Sequence, residues 1–148
     1  MEGFDGAQLG IDRSATTGLM KYLPGLSKYR LRRCLAGAIT TLARMKKLGR
    51  ILDDTCPRCG MRPETWTHIA DACPAHDGIR YRDFSATGWH TMPDCLRLRG
   101  LVPAWLALSH SREDVHGLAG NVQYTLLDFL THRDTLLPGS LQPQPRWA

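Results

Sequence analysis

The sequence predicts a mainly α-helical domain interrupted by a cysteine-rich loop, on three observations. Two long apolar stripes recur at three- and four-residue spacing. A Cys-x2-Cys pair lies between them, and no alternating strand pattern runs for more than a few residues. The 148 residues suffice for one small domain, with 43% hydrophobic and 22% charged residues excluding a wholly disordered chain. No stretch approaches the roughly 20 consecutive apolar residues of a membrane helix. The start, Met1-Glu2-Gly3-Phe4-Asp5, lacks the basic-then-apolar layout of a signal peptide, so a soluble intracellular protein without membrane contact is expected.

Taken in order, residues 1–26 carry Gly3, Gly6, Gly10 and Gly18 with weak periodicity and end at the turn Pro24-Gly25, which reads as a loosely ordered lead-in. Ser27 then reads as the cap of a basic amphipathic helix over 27–50, with Leu31, Cys34, Leu35, Ala38, Ile39, Leu42 and Ala43 on one stripe and Gly49 as its stop. Gly37 and Thr40-Thr41 weaken that helix, an interior glycine by about 1 kcal/mol, without being expected to break it. The cluster occupies 51–76. In the helical C-terminal region, 77–137, Gly78, Gly88 and Pro93 keep the first elements short, and Pro103 opens another short helix containing Trp105. A stripe from Val115 through Leu118, Ala119, Val122, Leu126 and Phe129 to Leu130 follows, with Glu113-Asp114 and His132-Arg133 placed to suit the helix dipole. Pro138, Gly139, Pro143 and Pro145 mark 138–148 as a flexible tail.

Net charge is +5, and it is concentrated. Between Ser27 and Arg50 stand Lys28, Arg30, Arg32, Arg33, Arg44, Lys46, Lys47 and Arg50 with no acid, whereas the other 11 of the 19 bases face all 14 acids. One segment thus supplies the whole positive excess, the pattern of a polyanion-binding face. Five cysteines, an odd number in a chain too large to need disulfide staples, favour metal ligation.

Cys56-Pro57-Arg58-Cys59-Gly60, His68 and Cys73 give C-x2-C-x8-H-x4-C. A Cys-x2-Cys turn aims two thiolates at one ion, and Gly60 supplies a positive-φ residue beside it. Pro63-Glu64-Thr65 reads as a helix start, with the helix loosening near Ala72-Cys73 so that His68 and Cys73 converge. Three sulfurs and an imidazole suit one structural Zn2+. His76 also has a legal spacing, C-x2-C-x13-C-x2-H. His68 is preferred because H-x4-C is the spacing of retroviral nucleic-acid knuckles and Pro74 favours the chain leaving there. The expected fold class is therefore mainly α: a small helical domain with an inserted CCHC zinc knuckle, a flexible N-terminal lead-in and a C-terminal tail.

The run Leu35-Ala36-Gly37-Ala38-Ile39-Thr40-Thr41 with Arg44, followed by Cys56-Pro57-Arg58-Cys59-Gly60, Glu64-Thr65, His68-Ile69 and Cys73-Pro74, resembles the zinc-binding region at the C-terminal end of reverse transcriptases from non-LTR retrotransposons. The resemblance covers about residues 28–76, a third of the chain, and continues more weakly through Pro93-Asp94-Cys95-Leu96 and Arg99-Gly100-Leu101. It implies Cys56, Cys59, His68 and Cys73 as ligands. It further implies nucleic acid (retroelement RNA or target DNA) as partner, a neighbouring polymerase domain or protein partner, and a nuclear location. The polymerase's aromatic-x-Asp-Asp motif has no counterpart, since Asp53-Asp54 follow Ile51-Leu52, so no enzymatic activity is expected and the chain reads as a terminal fragment or remnant.

Arg30, Arg33, Arg44 and Lys47 fall off the apolar stripe. With Lys46, Arg50 and, inside the zinc loops, Arg58 and Trp66, they form the candidate nucleic-acid-binding set. The competing readings are a solvated basic face and a Trp66 packed beneath the knuckle. Trp89, Trp105, Cys34 and Cys95 are expected in the core; a Cys95 hydrolase with His90 or His116 has no supporting signature. The alternative function is a zinc-stabilised protein–protein interaction module whose 113–133 helix and Trp105 region present an apolar surface.

Overall fold

The stripe that begins at Val115 folds as the longest helix, α7 (Arg112–Leu136), and the rest of the chain wraps around it. The structure is a computed structural model that describes residues 3–136; the tail expected over 138–148 lies outside the described residues. Ser111 Oγ accepts from the Asp114 N–H at 3.1 Å, and Val115, Ala119, Val122, Leu126, Phe129 and Leu130 are buried along one face. Each of the valine, leucine and phenylalanine side chains contributes about 1.5–3 kcal/mol on leaving water, which makes α7 the organising element. It packs against α1 (Arg13–Thr17), α2 (Gly25–Leu35), α4 (Asp77–Arg80) and α6 (Asp94–Arg99). Its apolar stripe is buried in this core, so the stripe itself is not the exposed surface that the interaction-module alternative expects there. Trp105 is likewise half-buried, its Nε1 donating to the Gly6 carbonyl at 3.0 Å.

Residues 3–26, expected as a loose lead-in, are held by the chain around 93–105. Asp12 donates to Val102 O at 2.8 Å while its Oδ1 caps α1 by accepting from Ala15 N–H at 3.0 Å, and the N–H of Ala104 reaches Gly10 O at 3.0 Å. Ala15 joins the core at 3% exposure. Buried Gln123 ties this layer to α7, its Nε2 donating to Thr16 O at 2.8 Å and Gly100 O at 3.0 Å.

The single basic helix expected over 27–50 is two helices, α2 and α3 (Leu42–Lys47). The break is at Gly37, φ +66°. The Gly37 N–H donates to Cys34 O at 3.0 Å and the Ala38 N–H to Arg33 O at 2.9 Å, the paired bonds that close a helix on a left-handed residue. Thr41 then starts α3, its Oγ1 accepting from Arg44 N–H at 3.3 Å. The stop read at Gly49 is present and repeats the pattern, with the Arg50 N–H donating to Met45 O at 3.0 Å. Pro24, rather than Ser27, occupies the α2 cap position.

Between Cys73 and Gly100 the elements are short, as the punctuation predicts: a 3-10 turn at Pro74–His76, α4, α5 (Ala86–His90) and α6. The segment after Pro103 is a 3-10 turn, Ala104–Leu108. Among the described residues there is no strand, only isolated bridges at Ile11–Pro103 and Thr55–Pro63, and no helix is long and apolar enough to cross a membrane.

Candidate metal centre and its charged surroundings

The two halves of the cluster are built by different local devices. The N–H of Cys56 donates to Arg62 O at 2.7 Å and that of Gly60 to Cys56 O at 2.8 Å, closing a tight loop in which Gly60 adopts φ +69°. The second half starts where Thr65 Oγ1 accepts from His68 N–H at 3.0 Å, and His68–Ala72 then runs as a π-helical turn. Its closing bond, Cys73 N–H to His68 O at 2.7 Å, spans five residues, the same separation as the two ligands in H-x4-C. The loosening expected near Ala72 is thus a widened turn over His68–Ala72, and it brings His68 and Cys73 to one side.

One ligand atom from each of Cys56, Cys59, His68 and Cys73 lies within 4.8 Å of all the others. The Cys56 and Cys73 sulfurs are 3.9 Å apart, and Cys59 Sγ is 3.4 Å from His68 Nε2. An ion with bonds of about 2.3 Å to sulfur and about 2.0–2.1 Å to nitrogen in tetrahedral geometry has edges of about 3.8 Å for S–S and 3.6 Å for S–N. Those two separations agree with the edges, and with all four ligand atoms within 4.8 Å of one another the set could hold one metal ion. His68 is lowered from its usual value by burial, then by the cations of Arg58, Arg62 and Arg80, which keeps the ring in its neutral, ligating form. Burial raises the Cys56 thiol. At Cys59 burial also pushes upward, but the N–H groups of Met61 and Arg62 and the flanking sulfurs outweigh it and the net shift is downward.

His76 is not part of the cluster. Its ring is fully buried, stacked on Phe129 with centroids 5.0 Å apart and planes 9° from parallel; Nε2 lies 2.9 Å from His132 Nδ1 and Nδ1 lies 3.3 Å from Ile69 O. Both nitrogens are engaged away from the cysteines.

Around the cluster runs a chain of buried charges that sequence reasoning missed. Glu64, 0% exposed, accepts from Leu42 N–H at 2.9 Å and Arg133 Nε at 2.9 Å through Oε1, and faces Arg58 Nη1 at 3.3 Å through Oε2. Arg133 reaches Asp134 at 3.4 Å, and Asp134 pairs with Arg30 at 2.9 Å. The cysteine loop, α3, α7 and α2 are thereby joined through alternating charges. Arg80, 1% exposed, supports the π-helical turn by donating to the carbonyls of Ala70 at 2.6 Å, Ile69 at 3.1 Å and Cys73 at 3.3 Å. A lone acid after a proline and an arginine in a mixed segment gave no sequence signal for either role.

This network sorts the candidate nucleic-acid residues. Arg58 has a fully buried side chain and Arg30 is held by Asp134, so neither presents a guanidinium to a base or phosphate. Trp66 packs against the core and donates its Nε1 to Leu98 O, which corrects its placement as a free stacking residue. Arg33 bonds Thr40 Oγ1 at 3.2 Å, and Lys46 lies 3.7 Å from Asp54. Arg44, Lys47 and Arg50 are exposed and in no ion pair among the described residues. Trp89, Cys34 and Cys95 are core residues at 0%, 1% and 0% exposure; burial pushes Cys34 to about 12.

No protein-family model, curated protein or solved structure matches this chain.

Proposed function

We propose that the chain is a non-catalytic zinc-binding module that engages nucleic acid through α3. The observation that carries the reading is the Cys56, Cys59, His68 and Cys73 set, gathered within 4.8 Å, which supplies the three sulfurs and one imidazole of a closed tetrahedral site. Zinc bound there would be structural. In finger peptides the ion contributes about 10–16 kcal/mol apparent at neutral pH, more than a loop of this length obtains from its own core. This chain's residues do the rest: Arg58 sets a buried cation beside the thiolates, Glu64 balances it, and α3 is held against the loop by the Leu42 N–H bond to Glu64.

Nucleic-acid contact is supported by what the ion pairs leave over. Arg44 and Lys47 are three residues apart on one helix face, Arg50 follows the Gly49 stop, and all three are exposed. The resemblance of residues 28–76 to the zinc region of retrotransposon reverse transcriptases points the same way. The test joins metal content by mass spectrometry with oligonucleotide binding as a function of salt. One zinc per chain is expected, with log affinity falling linearly in log salt. Arg44→Gln with Lys47→Gln should lower the slope by about 1.4, or 0.7 for each phosphate contact to a single strand. Absence of zinc from freshly reduced protein refutes the metal claim, and absence of salt-dependent binding refutes the nucleic-acid claim.

A further inference from the structure

Beside the metal cluster, a cleft of about 460 Å3 opens between the α2–α3 connection, α3 and the Thr65-Trp66 segment. Its apolar walls include Ile39, Ala43 and Trp66, and Arg44 and Lys47 line it from α3. Arg99 is a third cation on the lining, held by donating from Nε and Nη2 to Leu35 O at 3.1 and 2.7 Å. Among the described residues that line it there is no carboxylate.

The geometry points to this cleft as the seat of one unpaired nucleotide of a single strand, its base against the Ile39–Trp66 wall and its phosphate on Arg44 and Lys47. The proposal rests on the nucleic-acid reading above and adds a ligand site and a strand preference to it. The volume falls in the range of about 300–1,000 Å3 typical of small-molecule pockets, larger than a phosphate alone requires. The walls offer the apolar surface that a base needs and a phosphate does not. Arg44 and Lys47 make the α3 side of the lining positive, which favours an anionic group and disfavours a cationic or zwitterionic occupant whose cationic group would need a partner there. Trp66 is anchored at its Nε1 by Leu98 O and braced by the core, so the wall is set before any ligand arrives. A base within a duplex is stacked and paired and cannot enter without being extruded, so the cleft selects single strands.

The experiment measures anisotropy of labelled oligothymidylate of about ten nucleotides and of a duplex of equal length, with native protein and with Ala43→Phe. That replacement fills the cleft and leaves every charge in place. Native protein should bind the single strand about tenfold or more tightly than the duplex. Ala43→Phe, matched to native in metal content and circular dichroism, should lose about tenfold on the single strand at an unchanged salt slope, with duplex binding unaltered. Equal binding of the single strand by the two proteins overturns the cleft and leaves phosphate tracking by α3 intact. No binding of either oligonucleotide by native protein overturns the nucleic-acid reading itself. Should Ala43→Phe fail to fold, the Trp66 indole N–H resonance of native protein decides: a shift on addition of oligothymidylate supports the site, and an unmoved resonance at saturation overturns it.

Discussion

Replacing Glu64 with alanine should be among the costliest single changes outside the cysteine cluster. The carboxylate is fully buried and has three partners from three parts of the chain: Leu42 N–H, Arg133 Nε at 2.9 Å and Arg58 Nη1 at 3.3 Å. Its removal leaves two guanidinium groups in a low-dielectric interior, Arg58 with 0% and Arg133 with 5% side-chain exposure. Breaking a buried ion pair from one side costs about 3–5 kcal/mol, a fifth or more of the roughly 5–15 kcal/mol total of a typical domain. At a urea slope of about 2 kcal/mol per molar, the midpoint should fall by roughly 2 M. The assay is urea unfolding of native and Glu64→Ala protein in a fixed excess of zinc, followed by circular dichroism. Removing Arg133 in the same chain should cost less than the sum of the two single losses, because the two side chains share one buried ion pair. A loss below about 1 kcal/mol at unchanged slope would refute the view that these charges are desolvated and mutually dependent.

Four further outcomes are expected. His68→Gln should abolish stoichiometric metal binding while His76→Gln retains it; the reverse, read by mass spectrometry, would contradict the ligand set. Cys59→Ser should accelerate amide exchange across residues 53–76 and leave the buried centre of α7 protected, and unchanged exchange in the loop would count against metal-dependent order there. Gly37→Ala should cost about 1 kcal/mol or more, because φ is +66° and the new methyl would lie 3.2 Å from Arg99 Cζ; an unchanged melting temperature would contradict this. Burial, then the Arg58 cation, holds His76 down to about 3 from 6.5. The unfolded chain therefore binds a proton that the folded chain refuses, so this contribution is fully present above pH 6.5 and declines as the pH falls toward 3. Between pH 7 and 5, His76→Gln should lose less stability than native protein by about 1 kcal/mol, and parallel curves would dissociate His76 from the acid response.

The parts of this fold that were legible in the sequence are those fixed by near neighbours. The α7 stripe, the Gly49 stop, the short elements around Pro93 and the convergence of His68 with Cys73 all follow from spacing within a few turns. The two misjudged elements depended on distant partners or on a choice between equivalent local signals. Residues 3–26 have weak periodicity because their order comes from backbone bonds to Val102 and Ala104, some ninety residues away, and not from a stripe of their own. Gly37 and Gly49 close their helices with the same pair of bonds, yet local pattern alone marks the first as tolerated and the second as a stop. What distinguishes Gly37 is Arg99, which satisfies the free Leu35 carbonyl from a helix the sequence does not place nearby.

The same division explains the basic segment. Its eight cations with no acid read as one polyanion face, but that pattern counts only charges close in sequence. Folding brings Asp134 to Arg30 and Asp54 to Lys46, and buries Arg58 on Glu64. Ion pairing thus withdraws Arg30 and Lys46 from the eight, and the break at Gly37 divides the segment into α2 and α3. The charge that remains unpaired among the described residues includes Arg44, Lys47 and Arg50, at and just beyond the end of α3. A ligand drawn by net charge alone would sample the whole basic segment. One held by specific contacts should depend on Arg44 and Lys47 far more than on Arg30 or Lys46, and that inequality separates a site from a merely basic surface.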